Sequence, residues 1–236
     1  MQHSPSPLPA LSAPVAGGQA ASSPVLAQPA AQTVHQQFVD WLRQVAPSIH
    51  KFRGQTFVVG IPGEMLLVEN ALNALIHDLS LLHSIGIRVV IVNGCRPQIN
   101  AQLRLRGQAS HYHDGLRITD AVALECAKEA AGEIRYDMEA AFSQGLANTP
   151  MANAGIRVVS GNFTLARPVG IVDGVDFAYS GLVRKVDAAS IRHALDNQQI
   201  VLLSNIGYSA TGEAFNLAME DVAAITAMAL NADKLV

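Results

Sequence analysis

Short runs of apolar residues alternate with amphipathic stretches over most of the chain. An uninterrupted apolar run is typical of a strand covered on both faces of its sheet, and apolar residues spaced by three and four are typical of a helix. The predicted strands are residues 55–61, 87–92, 156–160 and 200–204, with another beginning at 233–236. The predicted helices are residues 65–85, 97–107, 119–146, 187–197 and 220–231. This alternation predicts an α/β fold, a three-layer αβα sandwich with a mainly parallel sheet.

The connecting segments carry their own predictions. Thr119 is the expected cap of the long helix that follows it, because a threonine side chain can accept a hydrogen bond from the first turn. The segment before it is expected to be a polar loop that contains His111 and His113. Residues 163–186 are interrupted by proline and glycine and include Asp173-Gly174, which predicts a β-hairpin excursion.

Residues 33–46 form a separate amphipathic helix in this interpretation. Phe38, Trp41 and Leu42 belong to its apolar face. Thr33 is the expected start and Pro47 the expected stop. Such a face packs either on its own domain or on another subunit.

The first 32 residues differ in composition from the rest. They hold six of the eleven prolines and no lysine, arginine, aspartate or glutamate. Such a segment can bury little apolar surface, so it is predicted to be a disordered leader. This segment does not fit a secretory signal, because its prolines would interrupt the continuous apolar core that such a signal needs. It does not fit a mitochondrial presequence either, because it contains no arginine.

Overall composition excludes several functions. The formal net charge is −3 and only 15% of residues are charged, which gives no electrostatic footprint for nucleic acid. No run reaches the 18 or so apolar residues of a membrane span. Cys95 and Cys126 cannot build a disulfide framework or a structural zinc site. A chain with only two cysteines and neither of these roles is typical of a reducing compartment, so a cytoplasmic location is expected.

Three loops that follow predicted strands are the expected places for chemistry, because ligands of such sheets bind beyond the carboxyl ends of the strands. They are residues 60–64, 93–97 and 204–209. The first, Gly60-Ile61-Pro62-Gly63-Glu64, is either a tight turn or a weak phosphate cradle. It contains no lysine, and Pro62 supplies no N–H donor.

The second loop indicates a carboxylate site instead. Gly94 and Arg96 stand at a helix N-terminus, where the cation and the helix dipole can bind a carboxylate together. Arg117 is a plausible second clamp, and the amide of Asn216 could orient a small polar ligand. The alternative is that Arg96 is a solvated surface charge. Cys95 is expected to be a small packed residue and not a nucleophile.

A His-x-His pair on a strand points both rings to one face and can hold a metal. The sequence places no third ligand beside His111 and His113, so no metal site is predicted and a solvated loop is preferred. We therefore predict no resident metal and no cofactor in this chain.

Five segments together resemble the amino acid kinase family, most closely the amino-terminal domain of bacterial N-acetylglutamate synthases. In chain order these segments are VVGIPGE, LLHSIGIRVVIVNGCRPQIN, HDGLRITD, VVSGNF and LLSNIGYSATGEAFNLAMED. The resemblance runs from about Val34 to the last residue. It implies the domain division 1–32 leader, 33–47 oligomerisation helix and 48–236 incomplete kinase-like domain.

The resemblance also implies a lost kinase site. Acetylglutamate kinases carry Lys-x-Gly-Gly in the first loop, whereas Gly60 stands where that lysine would be and Pro62 replaces the first glycine. Arg117 and Asn216 match positions that hold the N-acetylglutamate carboxylates in the kinases, and Asp221 falls near their catalytic aspartate. Because phosphoryl transfer depends on charge stabilisation, no kinase activity and no catalytic residue are expected here.

By the same resemblance, the full-length enzyme transfers acetyl from acetyl-CoA to L-glutamate in arginine biosynthesis. L-arginine is then its allosteric inhibitor, the acetyltransferase domain lies outside this chain, and the helix at 33–47 links subunits into a homohexamer. Two alternatives remain open. The chain is an acetylglutamate kinase with a lysine supplied from elsewhere, such as Lys185 or Lys234, or it is a stand-alone arginine-binding module.

Overall fold

The computed structural model of the chain describes residues 34–144 and 155–236. The predictions for the leader at 1–32, for the cap at Thr33 and for the helix end at Leu146 fall outside the described residues. The contacts divide the chain after Gln44, and the part from Val45 onward forms one compact unit.

The described residues contain six α-helices. They are α1 (Val34–Phe52), α2 (Ala71–Ser84), α3 (Arg96–Leu105), α4 (Ala121–Gln144), α5 (Ala188–Asp196) and α6 (Met219–Leu230). A short 3₁₀ turn at Met65–Leu67 precedes α2.

A five-stranded sheet forms the centre of the larger unit. Its strands are β1 (Thr56–Ile61), β2 (Arg88–Asn93), β5 (Arg157–Val159), β10 (Gln199–Leu203) and β13 (Lys234–Leu235). They lie in the order β13-β1-β2-β10-β5, and each neighbouring pair is parallel. The predicted parallel sheet is therefore confirmed.

A second, mixed sheet and two antiparallel hairpins are formed by shorter strands. One sheet has the order β12-β11-β6-β9, and the pairs β3–β4 and β7–β8 form two hairpins. The hairpin predicted within residues 163–186 corresponds to the β7–β8 pair, and strands β6 and β9 flank it in the same segment. In chain order the added strands are β3 (His111–His113), β4 (Leu116–Ile118), β6 (Thr164–Pro168), β7 (Ile171–Val172), β8 (Val175–Asp176), β9 (Gly181–Val186), β11 (Ile206–Tyr208) and β12 (Ala214–Asn216).

Strand β2 shows why its sequence is apolar at successive positions. Val89 and Ile91 belong to the apolar core on one face of the sheet, and Val90 and Val92 belong to the core on the other face. All four are fully buried. Buried residues of α2, α3 and α4 complete the first core, and those of α5 and α6 complete the second. The three-layer αβα arrangement is thus confirmed.

The predicted helix at 65–85 is wrong in its first turns. The chain forms the 3₁₀ turn, leaves helical geometry at Val68, and starts α2 only after Asn70, whose φ is 61°. Asparagine tolerates this left-handed conformation better than most residues. As a result Val68 is 61% exposed.

The predicted stop at Pro47 is also wrong, because α1 continues through it to Phe52. A proline inside a helix removes one N–H donor and crowds the carbonyl four residues earlier. Residues 46–48 are exposed, so water can satisfy the displaced carbonyl and reduce the cost.

Two predictions around residue 119 need correction. The side chain that caps α4 belongs to Asp120, whose Oδ1 accepts a 2.8 Å hydrogen bond from the Ala123 N–H. Thr119 is fully buried instead. The polar loop expected around His111 and His113 is strand β3, which pairs with β4 in an antiparallel hairpin.

Among the residues that the structure describes, no helix has both the length and the apolar character needed to cross a membrane.

Candidate functional site

A small cleft opens at the carboxyl edge of the central sheet. Each of the three loops singled out in the sequence contributes to it, with Gly63, Gly94 and Asn205 among the lining residues. Its volume is about 100 Å³, below the roughly 300–1,000 Å³ of most small-molecule sites. All four residues of the predicted carboxylate site line this one cleft: Gly94, Arg96, Arg117 and Asn216.

A chain of buried hydrogen bonds forms the floor of the cleft. Asn205 Nδ2 donates to Asn216 Oδ1 at 2.7 Å, and Asn216 Nδ2 donates to Thr119 Oγ1 at 3.1 Å. Cys95 Sγ donates to Asn205 Oδ1 at 2.9 Å. Because these groups are buried, each amide depends on its neighbour for a partner. Asn205 was missed at the sequence level, where only its loop was identified.

Arg117 is the main charged group inside the cleft. It is only 6% exposed, and its Nη2 donates to Asn100 Oδ1 at 2.6 Å. Its guanidinium lies 4.8 Å from the centre of the Tyr112 ring. Nη1 has no hydrogen-bond partner among the described residues. Burial, as the largest cause, lowers the pKa of Arg117 from its usual value, and the charge of Arg96 acts in the same direction.

Arginine remains protonated despite such a shift. No carboxylate pairs with Arg117 within the part of the chain that the structure describes. A buried cation without an ionic partner favours the binding of an anion, because an anion would offset part of its desolvation cost. The immediate surroundings of Arg117 therefore suit a carboxylate, while Glu64 and Glu220 add negative charge elsewhere in the cleft lining.

Cys95 precedes α3 and is buried at the edge of this network. Burial raises the pKa of its thiol to about 12. At neutral pH the thiol therefore stays protonated and is a poor nucleophile. This agrees with its interpretation as a packed residue.

The two glycine-containing loops are packed against Met219, at the start of α6. A Cβ built on Gly60 would lie 3.2 Å from Met219 Sδ, and one built on Gly94 would lie 3.3 Å from Met219 Cβ. The methionine side chain therefore occupies the space between the loops. Sequence reasoning missed this residue, since a single methionine before a helix carries no distinctive pattern.

The charged residues that line the cleft are Glu64, Arg96, Arg117 and Glu220. None of its lining residues is a lysine, and Lys234 packs instead over the Phe57 ring, with Nζ 5.2 Å from the ring centre. Lys185 is exposed on β9, outside the lining. Two acidic residues begin α6, and only Glu220 lines the cleft. Asp221, which was expected near a catalytic position, is not among the lining residues.

The residues predicted for an oligomer interface lie on α1. Phe38, Trp41 and Leu42 are 59%, 57% and 43% exposed. The rings of Phe38 and Trp41 are 6.3 Å apart between their centres. The predicted interface role stays a prediction.

Comparisons with known proteins place the chain in a family. Residues 55–236 match the sequence profile of the amino acid kinase family. The chain is 62% identical over 201 residues to an amino-acid acetyltransferase of Ralstonia nicotianae, with 85% of this chain and 44% of that protein covered. A Pseudomonas fluorescens amino-acid acetyltransferase is 51% identical over 199 residues, with 84% and 46% covered. The chain thus spans about half the length of these relatives.

Solved structures agree with the sequence comparison. N-acetylglutamate synthase from Neisseria gonorrhoeae, complexed with coenzyme A and L-arginine, superposes with a TM-score of 0.75 at 40% identity. The alignment covers 84% of this chain and 46% of that one. A carbamate kinase from Giardia has a TM-score of 0.55 at 17% identity, over 77% of this chain and 72% of its own, which shows a shared fold alone.

The resemblance to N-acetylglutamate synthases inferred from the sequence motifs is therefore confirmed. From its profile match and from these relatives, the chain belongs to the amino acid kinase family.

Proposed function

We propose that this chain is the amino-acid-kinase-like part of an N-acetylglutamate synthase and that it has a regulatory and structural role. The full-length enzyme would transfer an acetyl group from acetyl-CoA to the α-amino group of L-glutamate, in the first step of arginine biosynthesis. The relatives that support this are named amino-acid acetyltransferases and are about twice as long as the matched region. The catalytic acetyltransferase domain is then expected in the part of those proteins that this chain does not cover.

The observation that carries this proposal is the way Met219 packs on both loops of the cleft. A kinase needs positioned cations and backbone donors around the transferring phosphoryl group. Here a lysine side chain at position 60 would have to displace Met219, and Pro62 lacks an N–H donor. An acetylglutamate kinase with an atypical site would need a lysine supplied from elsewhere in the chain, and neither Lys185 nor Lys234 lines the cleft.

The cleft retains the elements of a carboxylate site. Arg117 offers an unpaired Nη1, and Arg96 lies at the N-terminus of α3, where the helix dipole favours an anion. We expect only a small carboxylate to enter, given the volume of about 100 Å³. This site is a remnant of substrate recognition and takes no part in acetyl transfer.

The assembly and regulation of the enzyme are part of the same proposal. The apolar face of α1 leaves Phe38 and Trp41 exposed, and aromatic residues of this kind are common anchors of protein interfaces. We propose that this face joins subunits into a homohexamer. The synthase from Neisseria gonorrhoeae was crystallised with L-arginine, which supports arginine as the inhibitor here. Two buried free cysteines fit a cytoplasmic enzyme.

An acetyl-transfer assay tests this function. The chain alone and the chain extended by its natural downstream sequence are incubated with acetyl-CoA and L-glutamate, and free CoA thiol is measured. We expect activity only from the extended protein, and we expect L-arginine to reduce it. An extended protein that releases no CoA in response to glutamate would refute the proposal, and omission of glutamate provides the control.

A further inference from the structure

Two hairpin tips meet and bring three potential metal ligands together. His113 ends β3, Asp114 follows it in the β3–β4 turn, and Asp173 lies in the β7–β8 turn. One ligand atom from each of these residues lies within 4.8 Å of the other two. In the sequence His113 had no third ligand in view, since Asp173 is 60 positions away and only the fold brings it close.

The imidazole nitrogen of His113 is directed at the carboxylates. Nε2 lies 3.6 Å from Asp114 Oδ2, which is too long for a hydrogen bond. The atom is buried and has no hydrogen-bond partner among the described residues. Buried polar atoms are nearly always satisfied by a partner, and a group bound beside the Asp114 carboxylate would provide one for this nitrogen.

The backbone does not explain why the two turn residues are acidic. Asp114 and Asp173 have φ angles of 48° and 51°, a left-handed conformation that asparagine adopts at least as readily as aspartate. Two carboxylates at this separation repel each other. A charge-neutral asparagine would satisfy each turn without that repulsion, and a bound cation would turn the repulsion into attraction.

The hairpins are held in place by contacts other than those among the three ligand atoms. The rings of His113 and Phe177 pack edge to face, with 6.0 Å between their centres. The Tyr179 N–H donates to the Thr119 carbonyl at 2.9 Å, and Ser180 Oγ bonds Thr119 Oγ1 at 2.8 Å. The ligands are therefore supported by a fixed framework, which is what a metal site requires.

We propose that His113, Asp114 and Asp173 bind a Zn²⁺ ion that connects the two hairpins. One imidazole and two carboxylates suit a borderline cation such as Zn²⁺ better than Ca²⁺ or Mg²⁺, which prefer all-oxygen sites. Three protein ligands leave a fourth position for water. Because Arg117 lies on β4 of the same hairpin, the ion would stiffen the wall of the cleft. The proposal is independent of the proposed function.

Calorimetric titration of the untagged chain with Zn²⁺ tests the site. We expect one Zn²⁺ per chain and a rise in Tm that EDTA reverses. Asp114→Asn and Asp173→Asn preserve both turns and remove a ligand charge, so each should weaken Zn²⁺ affinity by at least about tenfold. His111→Ala is the matched control, because His111 lies on the same strand but outside the group, and it should bind Zn²⁺ normally.

Three outcomes would overturn the proposal. They are no saturable binding by the native chain, an unchanged affinity in Asp173→Asn, and an equal loss in His111→Ala. The asparagine variants are checked for folding by circular dichroism before titration. If either fails that check, His113→Gln replaces it and the same loss of affinity is required.

Discussion

Replacing Gly63 by alanine tests the close packing of the two loops that form the cleft. A Cβ at this position would lie 2.6 Å from Gln98 Oε1, 2.8 Å from Pro97 Cδ and 3.0 Å from the Gly94 carbonyl. The glutamine can move, but it would then lose the 2.8 Å hydrogen bond that its Nε2 donates to the Gly63 carbonyl. The proline ring and the carbonyl belong to the backbone framework, so the loops themselves must separate.

The cost follows from these contacts. Overpacking of a rigid site costs about 1–3 kcal/mol, and loss of one hydrogen bond costs about 1 kcal/mol. We therefore expect Gly63→Ala to lower the free energy of unfolding by about 2–4 kcal/mol. Urea unfolding followed by circular dichroism measures this change.

Gly132 provides the matched control. It lies inside α4, and a Cβ there would meet no atom within 4 Å. Alanine is the better helix former, so Gly132→Ala should raise the free energy of unfolding by about 0.5–1 kcal/mol. If Gly63→Ala is as stable as the native chain, or if the two substitutions have the same effect, the assigned loop packing is wrong.

Three further predictions concern the amide network, the thiols and the exposed helix. Asn205→Ala should lower the free energy of unfolding, measured in urea, by about 2–3 kcal/mol, because it leaves buried polar partners unpaired. Asn162 is exposed, so Asn162→Ala should change this free energy by less than about 0.5 kcal/mol. Equal effects of the two substitutions would contradict the hydrogen-bond network. Burial raises the pKa of Cys95 to about 12 and also raises that of Cys126. Both thiols should therefore resist a thiol reagent at pH 8 until the chain unfolds. Fast labelling of the native protein would count against this prediction. Trp41→Ser should reduce the oligomer mass measured by light scattering without lowering the unfolding midpoint; an unchanged mass would exclude Trp41 as an anchor.

Much of the architecture could be predicted because it depends on local apolar patterns. The run around Val90 predicts a strand covered on both faces, and both cores are found there. The alternation of such runs with helices predicts the parallel sheet. The errors occur where tertiary context decides, as at Asn70, where a left-handed residue divides a continuous helical pattern, and at Pro47, where an exposed helix tolerates a proline.

The candidate site was predicted in part for a related reason. Arg96 begins α3 just after β2, where the topology rule places ligands, and the structure brings it into one cleft with Arg117 and Asn216. Met219 and Asn205 were not predicted, because their roles come from packing and pairing between residues distant in sequence. The proximity of Asp173 to His113 was missed because it depends on the contact between two hairpins.

The most direct test of the central claim is a measurement of ADP formation by this chain in the presence of ATP, Mg²⁺ and N-acetylglutamate. Because Met219 packs against Gly60 and no lysine is among the lining residues of the cleft, the chain should release no ADP above the rate without protein. Sustained ADP release that depends on N-acetylglutamate and is lost in Arg117→Ala would contradict the account, since it would show that the cleft still transfers phosphoryl groups.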